Sequence, residues 1–318
     1  MKVAALILAH KNKSQLERLI SVLQHPSIDI YIHLDKKSQL SPDDFSQCNV
    51  RFTPNRIDVG LFEFSMVDAT MELVYTAQAH QKYGYYILLS GQDYPLRCIN
   101  DIYVYLEESY PKPFIEVISP EIVTKFALQF KYPHVLKRFR TASASFIKKY
   151  FHTKSIYPYK YIPEGIVRVA TMATGLFIKS PHRRLRSMGI KPYFGPQWWI
   201  LPDTAINEVC ALYKNKDFCN CMKYCFSCDE TFFQTAIMIH ADRFEIALNE
   251  NGYYLYKKWF TIFSHGHPIT FTKEHFDQLV SSQMLFARKF DYNEDREILD
   301  MIDRHIIESR VKKHITNQ

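Results

Sequence analysis

The strongest constraint on the fold is an alternation between short apolar runs and segments with helical spacing. KVAALILAH (2–10) is apolar almost throughout and is bounded by polar residues. A run of that length without polar alternation suits a strand buried on both faces of a parallel sheet. SQLERLISVLQ (14–24) follows and sets Leu16, Leu19, Ile20 and Leu23 on one helical face. DIYIHLD (29–35) is the next expected strand, with VRFTP (50–54) as a third. SMVDATMELVYTAQAHQ (65–81) reads as an amphipathic helix, with Ser65 as N-cap and Asp68 at the capping-box position. YYILLSG (85–91), INDIYVYLEES (99–109) and FIEVI (114–118) continue as strand, helix and strand. Strands alternating with helices predict an α/β protein whose central sheet is mostly parallel and flanked by helices.

Ligands of such sheets sit beyond the carboxyl ends of the strands. The sequence places His10 after the first strand, Asp35 after the second, and Asp93, in SGQDYPL, just after the 85–91 strand. Three polar strand ends on one sheet edge point to a pocket there. Taken singly, Asp35 also suits a surface turn, and Asp93-Tyr94-Pro95 also suits a tight turn.

The remainder of the chain has a different character. Residues 119–165 interleave Lys and Arg with aromatics and are almost free of acids. TMATGLFIKS (171–180), FGPQWWIL (194–201), a helix near 203–214, a helix over 229–240 and a last helix from about 293 complete the reading. Neither repeats nor low-complexity linkers interrupt the 318 residues. One domain with insertions, residues 1–318, is therefore expected, its character changing between 118 and 119. The formal net charge of +7 suits an anionic partner. No run of about 20 apolar residues is present, as a spanning helix would need, and the N-terminal run lacks the cleavage site of a signal peptide.

Cys219, Cys221, Cys225 and Cys228 crowd into CNCMKYCFSCDETFFQ (219–234). Their spacing is not that of a zinc ribbon, and on a helix the thiols would diverge rather than converge on a metal. Unligated thiols are the expectation, with a zinc- or iron-binding domain as the rival. Downstream, Ser227 and Glu230 fit the S-x-x-E capping box, which locally favours a structural role for Glu230. A carboxylate held at a helix start can also accept a proton from a hydroxyl that attacks as a nucleophile. No glycine-rich phosphate loop occurs, and no Asp-x-Asp occurs anywhere. A departing diphosphate would then rely on lysine and arginine. Candidates are FARK (286–289), which holds Arg288 and Lys289, and the pair Lys257-Lys258.

Taken in order, LILAHK, IYIHLDKKS, FSMVDAT, YYILLSGQDYPL, FGPQWWIL, DETFF and LFARKFD resemble the Core-2/I-branching family of glycosyltransferases. That family includes β-1,6-N-acetylglucosaminyltransferases and peptide O-xylosyltransferases. The resemblance implies a GT-A-like fold, with residues 1–118 as the nucleotide-binding half and 119–318 as the acceptor-binding and catalytic half, a UDP-sugar donor, and inversion without a metal or other cofactor. It implies that Glu230 is the catalytic base and that Lys289 holds the donor diphosphate. Lys258 falls where relatives carry a diphosphate-binding arginine, a role Arg288 would share. His10 and Asp35 match the nucleotide-binding strand ends, and Glu116 matches an acceptor contact. Asp93, Trp198 and Trp199 complete the expected acceptor side, with core packing as the alternative for the two tryptophans.

The expected partners are a UDP-sugar and a glycan acceptor, lipid-linked in a bacterial member that works in the cytoplasm beside an anionic membrane. The rivals are a nucleic-acid- or membrane-surface-binding protein built on 119–165 and a catalytically inactive relative.

Overall fold

The computed structural model describes residues 1–61, 63–119, 121, 181–225, 227–264 and 267–316. The basic-aromatic segment, apart from residues 119 and 121, and the 171–180 stretch lie outside the described residues.

The strands, in chain order, are β1 (Val3–Ala9), β2 (Ile28–Leu34), β3 (Arg51–Phe52), β4 (Tyr85–Ser90), β5 (Asp93–Pro95) and β6 (Phe114–Ile118). They continue with β7 (Trp199–Pro202), β8 (Tyr253–Leu255), β9 (Trp259–Phe260), β10 (Phe263–Ser264), β11 (His267–Pro268) and β12 (Phe286–Arg288). The helices are α1 (Lys13–Val22), α2 (Ser65–His80), α3 (Ile99–Ser109), α4 (Pro181–Ser187) and α5 (Asp203–Lys214). After them come α6 (Lys216–Met222), α7 (Phe232–Ile239), α8 (Phe276–Ser281) and α9 (Glu297–Thr316).

A seven-stranded sheet in the order β3-β2-β1-β4-β7-β6-β8 forms the centre. β1, β2, β3, β4 and β6 run one way, and β7 and β8 run against them. The expected mostly parallel α/β architecture is therefore present, in a GT-A-like form. Successive residues of β1 feed opposite faces, because side chains alternate along a strand. Ala4 and Leu6 pack with α2, α5, α6 and α7, whereas Val3, Ala5 and Ile7 pack with α1, α3 and α9. Both faces are covered, which is why β1 shows no polar alternation.

Short elements depart from the expectation. Asp93–Pro95 is not a turn but strand β5, the edge of a second sheet in the order β5-β12-β9. Three-residue strands are too short to show a period, and an edge strand tolerates Pro95. The capping box at Ser65 does not form. Phe64 occupies the N-cap, the Ser65 hydroxyl accepts the Gly60 N–H at 2.9 Å, and Asp68 accepts the Tyr213 hydroxyl at 2.8 Å. No helix among the described residues is long and apolar enough to cross a membrane.

Candidate active site

A cleft of about 550 Å³ opens at the carboxyl ends of β1, β2 and β4 and reaches across to β6 and β7. Its volume falls within the range of small-molecule sites, about 300–1,000 Å³. His10, Asp35, Glu116, Trp198, Glu230 and Arg288 line it, so the structure brings these six sequence candidates together.

At one end the loop after β2 is clamped. Arg56 donates to the backbone oxygens of Leu34 at 3.2 Å, Asp35 at 2.7 Å and Ser38 at 2.8 Å. The Ile57 N–H donates to Nε2 of buried His33 at 2.9 Å. Nε2 must accept, so the ring is neutral, and burial lowers its pKa accordingly. The Asp35 N–H bonds Ala9 O at 2.9 Å, which ties the ends of β1 and β2 together. The Asp35 carboxylate accepts the Lys37 N–H at 2.8 Å. Beside it, burial and the Lys11 charge lower the pKa of His10, and Lys289 acts in the same direction. Lys289 therefore lies within electrostatic reach of His10, although it is not among the lining residues.

Glu230 sits on a single 3-10 turn, Cys228–Glu230, rather than on the helix expected from 229; α7 begins at Phe232. The capping box expected here is also absent. Ser227 adopts a left-handed conformation, φ 51°, and makes no side-chain cap bond. The backbone holds the turn instead: Glu230 N–H donates to Ser227 O at 3.1 Å, and Gly195 N–H donates to Glu230 O at 2.9 Å. Burial, reinforced by adjacent Asp229, pushes the Glu230 carboxyl up to about 8, against the pull of the Ser227 hydroxyl and Arg288. A carboxylate poised near neutrality is suited to accept a proton.

Arg288 faces this carboxylate electrostatically from the end of β12. Its guanidinium lies 4.1 Å from the centroid of the Trp198 ring, a cation–π distance. It also donates to Ser90 Oγ at 3.1 Å and pairs with Asp93 at 3.3 Å. Asp93 is wholly buried and does not line the cleft. The expected acceptor contact at Asp93 is thus replaced by an ion pair behind Arg288.

On the opposite wall, burial raises the Glu116 pKa, and Lys257, 3.9 Å away, opposes that rise. Two further expectations change here. Lys258 does not line the cleft: its ammonium lies over the rings of Tyr105 and Phe114, at 4.7 and 5.1 Å. Lys257 faces the cleft in its place, because adjacent residues of an extended segment point to opposite sides. Trp199 is fully buried against Phe233, 5.3 Å between ring centroids, and is a core residue. Trp198 alone of the pair reaches the cleft.

Sequence reasoning missed Gln197, Trp259 and the clamp residue Arg56. Gln197 stands inside the flagged FGPQWWIL stretch and Trp259 beside Lys258, so proximity to those motifs was the available signal. The seven cysteines are free thiols. Those of the cluster turn toward different backbone acceptors: Cys219 toward Tyr213 O at 3.1 Å, Cys221 toward Pro181 O at 3.3 Å and Cys228 toward Met222 O at 3.0 Å. Among the described residues, no group of three or more His, Cys, Asp or Glu side chains is arranged to hold a metal.

The chain was compared with known proteins and protein families. No curated protein matches it. A family model does: that of the Core-2/I-branching enzymes, over residues 3–284. The match spans the seven-stranded sheet and the Cys228–Glu230 turn, and it ends before β12. This family consists of glycosyltransferases, which use a nucleotide-sugar donor and a glycan acceptor. The chain belongs to the Core-2/I-branching enzyme family.

Proposed function

We propose that the protein is an inverting glycosyltransferase that moves a sugar from a UDP-sugar to a hydroxyl of a glycan acceptor without a metal. The observation that carries this reading is Glu230 held beside Arg288 in the cleft at the strand ends. In one in-line displacement, Glu230 takes the proton of the acceptor hydroxyl. The hydroxyl oxygen bonds to the anomeric carbon of the α-linked donor, and the bond from that carbon to the diphosphate breaks. UDP departs with the electron pair, and a β-glycoside remains. Arg288 and Lys289, with Lys257 rather than Lys258 nearest the cleft, neutralise the leaving diphosphate as preorganised cations. His10 and Asp35 receive the nucleotide, while Glu116 and Trp198 receive the acceptor sugar.

N-acetylglucosamine or xylose is the transferred sugar in this reading, and bacterial surface polysaccharide synthesis is the setting. The net charge of +7 supports presentation of a lipid-linked acceptor at an anionic membrane.

The test is calorimetry of wild type and Glu230→Gln with a panel of UDP-sugars in EDTA. One UDP-sugar binds both proteins, and only wild type turns it over. A requirement for a divalent metal, or unimpaired turnover by Glu230→Gln, overturns the reading.

A further inference from the structure

The buried carboxylate of Asp93 takes no part in the reaction just described, yet its placement is exacting. Asp93 and Arg288 are direct partners in the β5–β12 ladder, so the backbone sets the two side chains opposite each other. One carboxylate oxygen pairs with the guanidinium at 3.3 Å, and the other accepts the Ser90 N–H. The Ser90 hydroxyl takes a second guanidinium bond at 3.1 Å, and the Trp198 ring covers the group at 4.1 Å. The Arg288 side chain is 16% exposed and Asp93 is 0% exposed. What remains free of Arg288 is the part that faces the cleft.

A guanidinium without this counter-ion would turn to the nearest other carboxylate in the cleft. Glu230 is that carboxylate in electrostatic terms, since the two groups act on one another. An ion-paired Glu230 would be a poor proton acceptor, and an ion-paired Arg288 would be a poor diphosphate ligand. Besides Asp229, adjacent to Glu230, the other acids of the cleft lining are Glu116 and Asp35, and its bases are Lys257, Lys11, His10, His33 and His267. The charges that act on Arg288 are those of Asp93 and Glu230, and Asp93 is the one paired with it at 3.3 Å.

We propose that Asp93 is a positioning residue for the transfer reaction: it holds the Arg288 guanidinium against Trp198 and balances its charge, so that Arg288 meets the leaving diphosphate while Glu230 stays free to accept a proton. This inference rests on the roles assigned above to Glu230 and Arg288. Ser90 is the second member of the clamp, because it bonds both Asp93 and Arg288.

The test uses Asp93→Asn, which keeps the shape and removes the charge, and Ser90→Ala, which keeps the Asp93 charge and removes one guanidinium bond. Carbon-13 NMR of labelled glutamate side chains follows the Glu230 titration, with its signal assigned from Glu230→Gln. In Asp93→Asn the midpoint moves down by about one pH unit, because Arg288 then acts on Glu230 without its buried counter-charge. Turnover of the bound UDP-sugar falls about 10- to 100-fold in kcat, with KM changed by less than about threefold, the pattern of a transition-state contact. Ser90→Ala lowers kcat by a smaller factor and keeps the wild-type melting temperature.

A Glu230 midpoint that stays put or moves up in Asp93→Asn overturns the proposal. If Asp93→Asn fails to fold, full kcat in Ser90→Ala overturns it. Absence of UDP-sugar turnover in wild type, with the midpoint still displaced in Asp93→Asn, overturns the assigned reaction and leaves the Asp93–Arg288–Glu230 coupling standing.

Discussion

Trp198 and Trp199 are consecutive residues with opposite fates: one carries the Arg288 guanidinium 4.1 Å from its ring centre, and the other is fully buried against Phe233. The pleat at the start of β7 produces this division, since successive side chains leave a strand on opposite faces.

Truncation of the two tryptophans therefore separates function from stability. Trp199→Ala empties a core site and destabilises by about 3–5 kcal/mol. Trp198→Ala removes the surface that supports Arg288, so UDP-sugar turnover falls by at least about tenfold, while the partly buried ring, which packs against the edges of both cores, costs less stability than Trp199. Denaturant titration and turnover assays on both variants check the contrast.

The raised Glu230 pKa gives the pH dependence two opposite signs. As the proposed base, Glu230 works deprotonated, so turnover climbs with pH through a limb centred near 8 in the free protein. Stability moves the other way. The folded protein holds the Glu230 proton up to about 8, whereas the unfolded chain releases it near the ordinary value of 4.5. The stabilising contribution is complete below 4.5 and is lost as pH rises through about 8. Glu230→Gln escapes that loss. Its melting temperature, relative to wild type, should rise steadily between these two pH values, and thermal scans across the range would reveal a flat difference if the carboxyl were not perturbed.

Gly195 is the most constrained glycine near the site. A Cβ there would lie 2.0 Å from the backbone oxygen of Glu116, and the Gly195 N–H also anchors Glu230 O at 2.9 Å. Backbone atoms cannot swing aside as a side-chain tip can. Gly195→Ala thus costs about 1–3 kcal/mol from overpacking and displaces the Glu230 turn, so with Glu230 as the proposed base kcat falls along with the melting temperature. An alanine variant with wild-type stability and turnover would refute this.

Arg56 holds three backbone oxygens in the loop that presents Asp35. Arg56→Ala loosens the loop without touching Glu230 or Arg288. UDP affinity measured by calorimetry drops about tenfold, or ~1.4 kcal/mol, and kcat at saturating donor is kept.

The cysteine cluster is predicted to be chemically quiet. Burial raises the Cys219 and Cys221 thiols to about 11, which leaves almost no thiolate at neutral pH. A thiol reagent applied to the folded protein modifies Cys48 or Cys98, which are partly exposed, well before the buried four. Rapid labelling of the cluster under native conditions would contradict the structure here.

The pattern of elements was legible because it depends on local chemistry. Continuous apolar runs marked β1, β2, β4 and β6 to within a residue or two, and helical spacing marked α1, α2 and α3. The strand-end rule also located His10 and Asp35, since a parallel sheet allows only one edge for a ligand. Capping boxes were misread for the opposite reason. The Ser65 hydroxyl is taken by Gly60, and Asp68 is taken by Tyr213, 145 residues away. Both competitors are visible only once the chain has folded.

The sequence by itself determined that strands alternate with helices and that polar residues end the strands on one edge. Those facts follow from burial and backbone periodicity, which act over a few residues. Tertiary structure alone decided the chemistry of individual side chains. It paired Asp93 with Arg288 across 195 residues, turned Lys257 rather than Lys258 to the cleft, and surrounded Glu230 with enough protein to raise its pKa. A side chain's charge state and reach depend on which distant groups remove its water, and no local pattern in the chain records that.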